Sequence, residues 1–581
     1  MVRVVRALRT FLALALPYFG RSEDRWPGRA LAAGVVALEF ALVYVAVQVN
    51  QWHGRFFNAL EANDWDKAKD ELVVFGAITL MTIATGAAQY WLGQHFQIRW
   101  RRWMTNRLVG RWLEDGRHYR LPFVAAEVDN VQLRVVNDIA IFIQKTHEVG
   151  SSFIGVLITL VSFSVILWGL SGAIPLPLLG HDYAFPGYLI VFAFLYAVIG
   201  TLVAHWIGWR LVALNFNQQR READLRYATQ HARDQSEPVA LLGAEGIERA
   251  EIGRRVGRLM DNWRVLTVVQ TRLNGFAYGY NHISAIFPIL IVSPAYLAAA
   301  IPLGMLVQAA AAFQRVEQAF SFFIGSYAKI AEWKAAMDRI AGLEAALDRA
   351  AASRGADGFG IAAHAGDRLE VRGLVARDSK GAEIAAVASL DLAPGERLLV
   401  SGPPGSGKST LIRALAGIWP YGQGTVRLPG AARVLALPER PYFPLGTLRQ
   451  AVCAPAAPDA IADAALGAAM GAVGLGHLIA RLDAEEDWND TLPAGDQQRV
   501  GFARALLARP DVLIMDNPVS ALPEAETRAL YLALERALPH AIVVTAGTGA
   551  VLASLHARTL KLEPQGQTAT IDAMGGEACR A

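Results

Sequence analysis

The stretch LLVSGPPGSGKSTLIRALAGIW (398–419) is where residue type and spacing define a chemistry most narrowly. An apolar strand feeds a glycine-rich turn that opens into a helix. In the turn Gly402-Pro403-Pro404-Gly405-Ser406-Gly407, the glycines let backbone N–H groups wrap phosphate oxygens without Cβ obstruction. Lys408 brings a cation to the outer phosphates, Ser409 offers its hydroxyl to Mg²⁺, and Thr410 completes the pattern. A second stretch, DVLIMD (511–516), reads as a buried strand ending in Asp516, a carboxylate placed to hold the same Mg²⁺ through water. ATP and Mg²⁺ are the ligands these residues imply.

What these residues can do depends on the elements that carry them. The chain has 581 residues, 53% of them hydrophobic, and a mean hydropathy of +0.28. It is too long for one core and too apolar for an ordinary soluble enzyme. Apolar residues come in long blocks before about residue 330 and in short runs broken by Gly and Pro after about 365. The expected organisation is an amphipathic N-terminal segment (1–27), a membrane domain with cytoplasmic helical extensions (28–345), a linker (346–365) and a nucleotide-binding domain (366–581). The net charge of +3 provides no concentrated basic face, so nucleic acid is not an expected partner. Cys453 and Cys579 have no metal-ligand spacing and read as free thiols.

Five segments have the length and apolarity of spans: 31–50, 73–92, 153–170, 188–208 and 283–302. Each is close to the roughly 20 residues that cross a bilayer. A sixth, 303–327, carries Arg315 and Glu317, which either line a cavity or lie near the membrane edge. The basic segment RWRRWMTNRLVGRW and the basic N-terminus belong on the cytoplasmic side, and the acidic EANDWDKAKDE on the outside. Six spans with both termini cytoplasmic satisfy this, in an inner membrane. The fold class expected is therefore an all-α six-helix transmembrane domain fused to an α/β P-loop domain. Glu39 falls inside the first span, where a charge is costly; it lines a polar or proton pathway, or it is neutralised by a neighbour. The charged segment 215–245 reads as a solvated helix that Pro238 and Gly243 break into a short docking element.

Six spans fused to this pair of nucleotide motifs resemble an ATP-binding-cassette half-transporter, with one membrane domain of the exporter-like type and one cassette. Further residues narrow the resemblance to the SbmA/BacA-like branch, related to the peroxisomal fatty-acyl and cobalamin transporters. They are EADLRY, RDQSE and GAE in 215–245, LVQAAAAFQRVEQAFSFFIGSYAKIAEWKA around the sixth span, and RPYFPLGTLR (440–449). The resemblance implies a homodimer that sandwiches nucleotide between two cassettes. Its loop Pro493-Ala494-Gly495-Asp496-Gln497 would face the nucleotide of the other copy. It also implies a bulky solute: a peptide, a cobalamin-like compound or a fatty-acyl compound, usually imported in bacterial members.

The cassette departs from that pattern at successive positions. Glu439 stands where the family has a glutamine that senses Mg²⁺ and the attacking water. LPAGDQQR (492–499) replaces LSxGEQQR, so Pro493 removes a hydroxyl and a backbone donor together. Asn517 replaces the catalytic glutamate, Pro523 an inter-cassette aspartate, and Thr548 the switch histidine; His556 is too far along to substitute for it. Loss of a general base alone costs roughly 10²–10⁴ in rate, and loss of a donor to the transferring phosphate adds to it. The expectation is ATP binding with slowed hydrolysis. Three functions remain open: a transporter driven by ATP binding, a proton-driven importer with a regulatory cassette, and a non-transporting ATP sensor.

Overall fold

The computed structural model describes residues 2–125, 127, 130–173, 176–178, 181–183, 187–353, 359–430, 432–563 and 570–573. Cys579 and residues 354–358 of the expected linker lie outside these. The chain divides into two compact units, Met1–Leu108 with Val131–Ala341, and Val109–Asn130 with Gly342–Ala581.

The first unit is built from helices, with one short antiparallel strand pair, Leu176–Leu178 and His181–Tyr183. α1 (Val2–Arg21) lies within the segment 1–27. It buries Leu14, Ala15 and Tyr18 and exposes Val5, Leu8, Leu12 and Leu16, and Tyr18 stacks on Trp100 with ring centroids 5.6 Å apart. Then follow α2 (Arg25–Glu61) and α3 (Trp65–Leu113). Only Ala62, Asn63 and Asp64 join them, so both helices run well past the apolar segments predicted at 31–50 and 73–92. Asn63 takes the left-handed backbone (φ 52°) that this tight turn needs. After α4 (Arg117–Val124), the unit continues with α5 (Ile139–Ala173), α6 (Tyr188–Gly208), α7 (Leu211–Asp234), α8 (Ser236–Leu242), α9 (Glu245–Leu297), α10 (Leu303–Phe320) and α11 (Phe322–Ala352).

Among the described residues, five helical stretches are long and apolar enough to cross a membrane, and they contain the five predicted segments with one difference. The fifth was expected to reach residue 302, but α9 stops at Leu297. Pro302 disfavours helix in the residue before it and opens α10 instead. The sixth predicted segment is α10, an 18-residue helix interrupted at Ser321 before α11 begins. The charged segment breaks as its residues require: Gly243 adopts φ 62° and ends α8.

The second unit carries two large sheets and a short antiparallel pair, Gly446–Thr447 with Glu485–Glu486. One has β1 (Phe359–His364), β2 (Leu369–Arg377), β3 (Glu383–Leu392) and β5 (Gly422–Pro429) in the order β1-β5-β2-β3. The other contains β4 (Arg397–Ser401), β6 (Val434–Leu437), β7 (Val512–Asp516), β8 (Ile542–Ala546), β9 (Arg558–Lys561) and β10 (Thr570–Ala573). Its order is β10-β9-β4-β8-β7-β6, parallel except where β10 pairs with β9. Every residue of β7 and β8 is buried, which is why both read as unbroken apolar runs rather than alternating ones. α11 reaches Ala352 and β1 starts at Phe359. Both extend into the stretch 346–365, because EAALDRAAA is rich in strong helix formers.

α4 belongs to this second unit. Phe123 packs edge-on against Trp419, 5.3 Å between centroids, and the Tyr421 hydroxyl donates to the Phe123 carbonyl. Arg111 pairs with Asp348, and Arg120 donates to the Ala350 carbonyl. The last turns of α3, all of α4 and the end of α11 are thereby fixed to one another.

Candidate functional site

Four parallel strands deliver the chemically capable residues to one edge of the six-stranded sheet. Asp516 at the end of β7 is level with Ala546 at the end of β8, and Ala546 with Val400 of β4. Leu437 at the end of β6 pairs with Met515. The carboxyl ends of parallel strands leave a crevice where ligands bind in open α/β sheets. The turn after β4, Glu439 after β6, Asn517 after β7 and Thr548 after β8 all open onto that edge.

The glycine-rich turn links β4 to α12 (Lys408–Leu415). Gly407, at φ 87°, caps the helix, and a Cβ there would lie 2.8 Å from the Ile384 carbonyl. Only glycine allows the turn to run this close to β3. Lys408 Nζ donates to the carbonyls of Gly402 and Pro403, each at 2.8 Å, so the ammonium lies over the turn. Ser406 is buried, and its hydroxyl has no hydrogen-bond partner among the described residues. Ser409 Oγ donates to Asp516 Oδ1 at 3.0 Å, bringing together the two groups expected to serve a cation. A backbone cradle, an ammonium over it, a hydroxyl–carboxylate pair and the first turn of a helix fit a magnesium nucleoside triphosphate. Gly402 through Thr410 would hold the phosphates, and Ser409 and Asp516 the metal.

The residues beside the cradle have different chemistry. Asn517 stands at φ 46°, a left-handed conformation that asparagine tolerates better than most residues. Its N–H donates to the Ala546 carbonyl at 2.9 Å, which fixes it against the end of β8. The side chain there is an amide, which takes no proton at neutral pH. Thr548 is exposed beyond β8, and Glu439 is exposed beyond β6.

Pro493 caps α13 (Ala494–Ala508) without a side-chain hydrogen bond, whereas a serine there would satisfy one of the first-turn donors. Among the described residues, no hydrogen bond joins 492–499 to 402–410. The segment 492–499 is instead tied to its own neighbours. Gln497 Nε2 donates to the carbonyls of Asn489 (2.7 Å) and Leu492 (2.9 Å). Gln498 Nε2 donates to Ser520 Oγ at 2.8 Å and to the Glu439 carbonyl at 3.5 Å, and its Oε1 accepts from Ala521 N at 3.0 Å. Gln498 thus joins the Glu439 loop, α13 and the loop before Pro523, which caps α14 (Glu524–Ala537).

His556 is a core residue. It is 4% exposed, with Nδ1 2.7 Å from the Leu552 carbonyl and Nε2 3.0 Å from Thr545 Oγ1. Burial pushes its pKa down to about 4, so it is a neutral imidazole inside the helical side of the cassette. Arg504 is also buried, donating to the carbonyls of Ala451 and Tyr442, and desolvation lowers its pKa to about 10.

The role of Gln498 and the docking of α4 on Trp419 and Tyr421 were not read from the sequence. The only sequence signal for the latter is an aromatic residue beside a proline in HYRLPF, opposite WPY after the phosphate-loop helix.

Residues 17–297 match the family model described as ABC transporter transmembrane region 2, and residues 386–520 match that described as ABC transporter. An uncharacterized ABC transporter ATP-binding protein of Synechocystis is 30% identical over 94% of this chain and 82% of its own length. The inner membrane ABC transporter ATP-binding protein YddA of Escherichia coli is 28% identical over 92% of this chain and 94% of its own. In three dimensions the chain matches a bacterial Atm1-family ABC exporter solved with ATP bound. The TM-score is 0.74 at 15% identity, over 92% of this chain and 94% of that one, which shows a shared fold. A helical membrane domain continuous with an α/β cassette, matched along nearly its whole length by such relatives, places this chain in the ABC transporter family.

Proposed function

We propose that the chain is an SbmA/BacA-like half-transporter that works as a homodimer in an inner membrane, with both termini cytoplasmic. It moves a bulky solute, binds MgATP and hydrolyses it slowly. The observation that carries the reading is the contrast around Asp516. Ser409 and Asp516 are held 3.0 Å apart for a cation, while the next residue, Asn517, offers no base.

In a homodimer both composite sites inherit the same defects, because each combines one copy's Asn517 and Thr548 with the other's Pro493. The dimer reading is supported by α8, which exposes Leu241 and Leu242 at 80% each beyond the paired helices α7 and α9. Exposed leucines at the tip of an arm are a docking surface awaiting an apolar partner.

The test is reconstitution of the full chain in liposomes, with nucleotide binding and turnover measured together. Binding of a fluorescent ATP analogue with turnover at least about 100-fold below that of a Pro493→Ser/Asn517→Glu/Thr548→His variant supports the reading. Equal turnover in the two proteins contradicts it.

A second reading, a proton-driven importer with a regulatory cassette, draws on Glu39. That carboxyl is 8% exposed inside the first span and accepts from Gln89 Nε2 at 2.5 Å, with no cation paired to it among the described residues. Solute uptake abolished by an uncoupler but retained in Lys408→Ala favours this second reading, and the reverse favours the first.

A further inference from the structure

α10 is the central helix of the first unit, packed by α2, α5, α6 and α9. Its open stripe carries Ala311, Gln314, Arg315 and Gln318, of which Arg315 and Gln318 are exposed and the other two half-buried. This spacing places all four residues on one face of a helix.

The depth of Arg315 follows from the register of α10 on α2. Asn50 Nδ2 donates to the Gln308 carbonyl (3.0 Å), Asn58 Oδ1 accepts from Gly304 N (2.8 Å) and Glu61 Oε2 accepts from Leu303 N (2.8 Å). The helices are antiparallel, so Arg315, about 10 Å along α10 from Gln308, is level with the middle of the apolar run 31–50. An arginine facing lipid at that depth is costly. Arg315 has no hydrogen bond or ion pair among the described residues, so no described carboxylate of this chain offsets that cost. The stripe therefore faces an aqueous path.

The acids at that depth are committed elsewhere. Glu317, 3% exposed, accepts from Tyr280 Oη (2.7 Å), Ser321 Oγ (2.9 Å) and Ser284 Oγ (3.3 Å). Glu39 is buried against Gln89. On the neighbouring α9, the exposed residues Asn274, Tyr278, Asn281 and His282 form a polar face and add no acid.

We propose that Arg315 makes the translocation path selective for anions, so that the transported solute carries a carboxylate, phosphate or sulfonate group that the guanidinium recognises. A guanidinium binds such oxyanions through paired N–H donors. The inference rests on the transporter reading above and narrows its substrate class.

The test needs no knowledge of the solute. In full-length protein in membranes, with Cys453 and Cys579 replaced by alanine, Gln318→Cys is labelled with two methanethiosulfonates, one ending in sulfonate and one in trimethylammonium. The ratio of their rates is compared with that for a free thiol. The expected result is a shift of at least fivefold in favour of the sulfonate, cancelled by Arg315→Gln and inverted by Arg315→Glu. Arg315→Lys retains most of it. Absence of labelling by either reagent, or a ratio unchanged by Arg315→Gln, overturns the proposal. Thermal unfolding midpoints confirm that the variants fold. Because labelling does not depend on turnover, its outcome is separable from failure of transport, which solute uptake in liposomes reads.

Discussion

The turn after β4 and the three loops after β6, β7 and β8 share one edge of one sheet, yet they have been treated differently. The turn after β4 keeps each feature that phosphate binding needs: glycine where Ile384 leaves no room, an ammonium over the loop, and a hydroxyl on the Asp516 carboxylate. The neighbouring loops present an amide at 517, an exposed carboxylate at 439 and an exposed threonine at 548. Gln498 still braces two of the loops, so their scaffold is intact although their reacting groups differ. On the proposed reading, holding a nucleotide and cleaving it separate within one cassette, because the first is done largely by backbone and the second by individual side chains.

The largest effect should come from breaking the phosphate-holding side of that comparison. Lys408→Ala is expected to weaken ATP binding at least about 100-fold, measured by equilibrium titration with a fluorescent ATP analogue. Restoring the other side is expected to act only in combination. Asn517→Glu alone should raise turnover less than about tenfold, since Pro493 and Thr548 remain. The triple variant with Pro493→Ser and Thr548→His should raise it about 100-fold or more, read by phosphate release. A full recovery in the single variant would show that the base alone separates the two functions.

The third prediction concerns the neutral core histidine. Its folded pKa of about 4 lies below the ordinary histidine value of 6.5. The unfolded chain therefore takes up the proton first as pH falls. The stabilisation is present in full above about pH 6.5 and is lost progressively down to about pH 4, by up to about 3 kcal/mol. Thermal unfolding of the full chain in detergent should show that slope, and His556→Gln should flatten it. The smallest effect is expected from Gln498→Ala, which removes the brace between loops. A loss of about 1–2 kcal/mol should appear as a lower unfolding midpoint with ATP affinity changed less than about threefold.

The phosphate loop was legible in the sequence because its function depends on backbone geometry, which requires closely spaced glycines and leaves a local pattern. The first five spans were legible for a similar reason, since hydrocarbon imposes length and apolarity on each helix separately. What could not be read were relations between distant segments. The run of helix formers in GLEAALDRAAA was legible, whereas nothing in HYRLPF names Trp419 as its partner. The surroundings of Glu317 depend on α9 lying beside α10 in one register, with Tyr280 and Ser284 as donors. Arg315 was noticed as a charge, but which way it faces follows only from the packing of four other helices.

The way α2 holds the start of α10 has a mechanical consequence. A Cβ on Gly304 would lie 2.0 Å from the Gly54 carbonyl, so the two backbones touch, and Asn58 and Glu61 occupy the first free N–H groups of α10. A helix whose opening turn is completed by another helix cannot tilt away from it there without exposing those donors. The upper ends of α2 and α10 therefore behave as a clasp, and any rearrangement that opens or closes the path must spread from the opposite end. There α10 stops at Ser321, a joint whose hydroxyl is moored to Glu317.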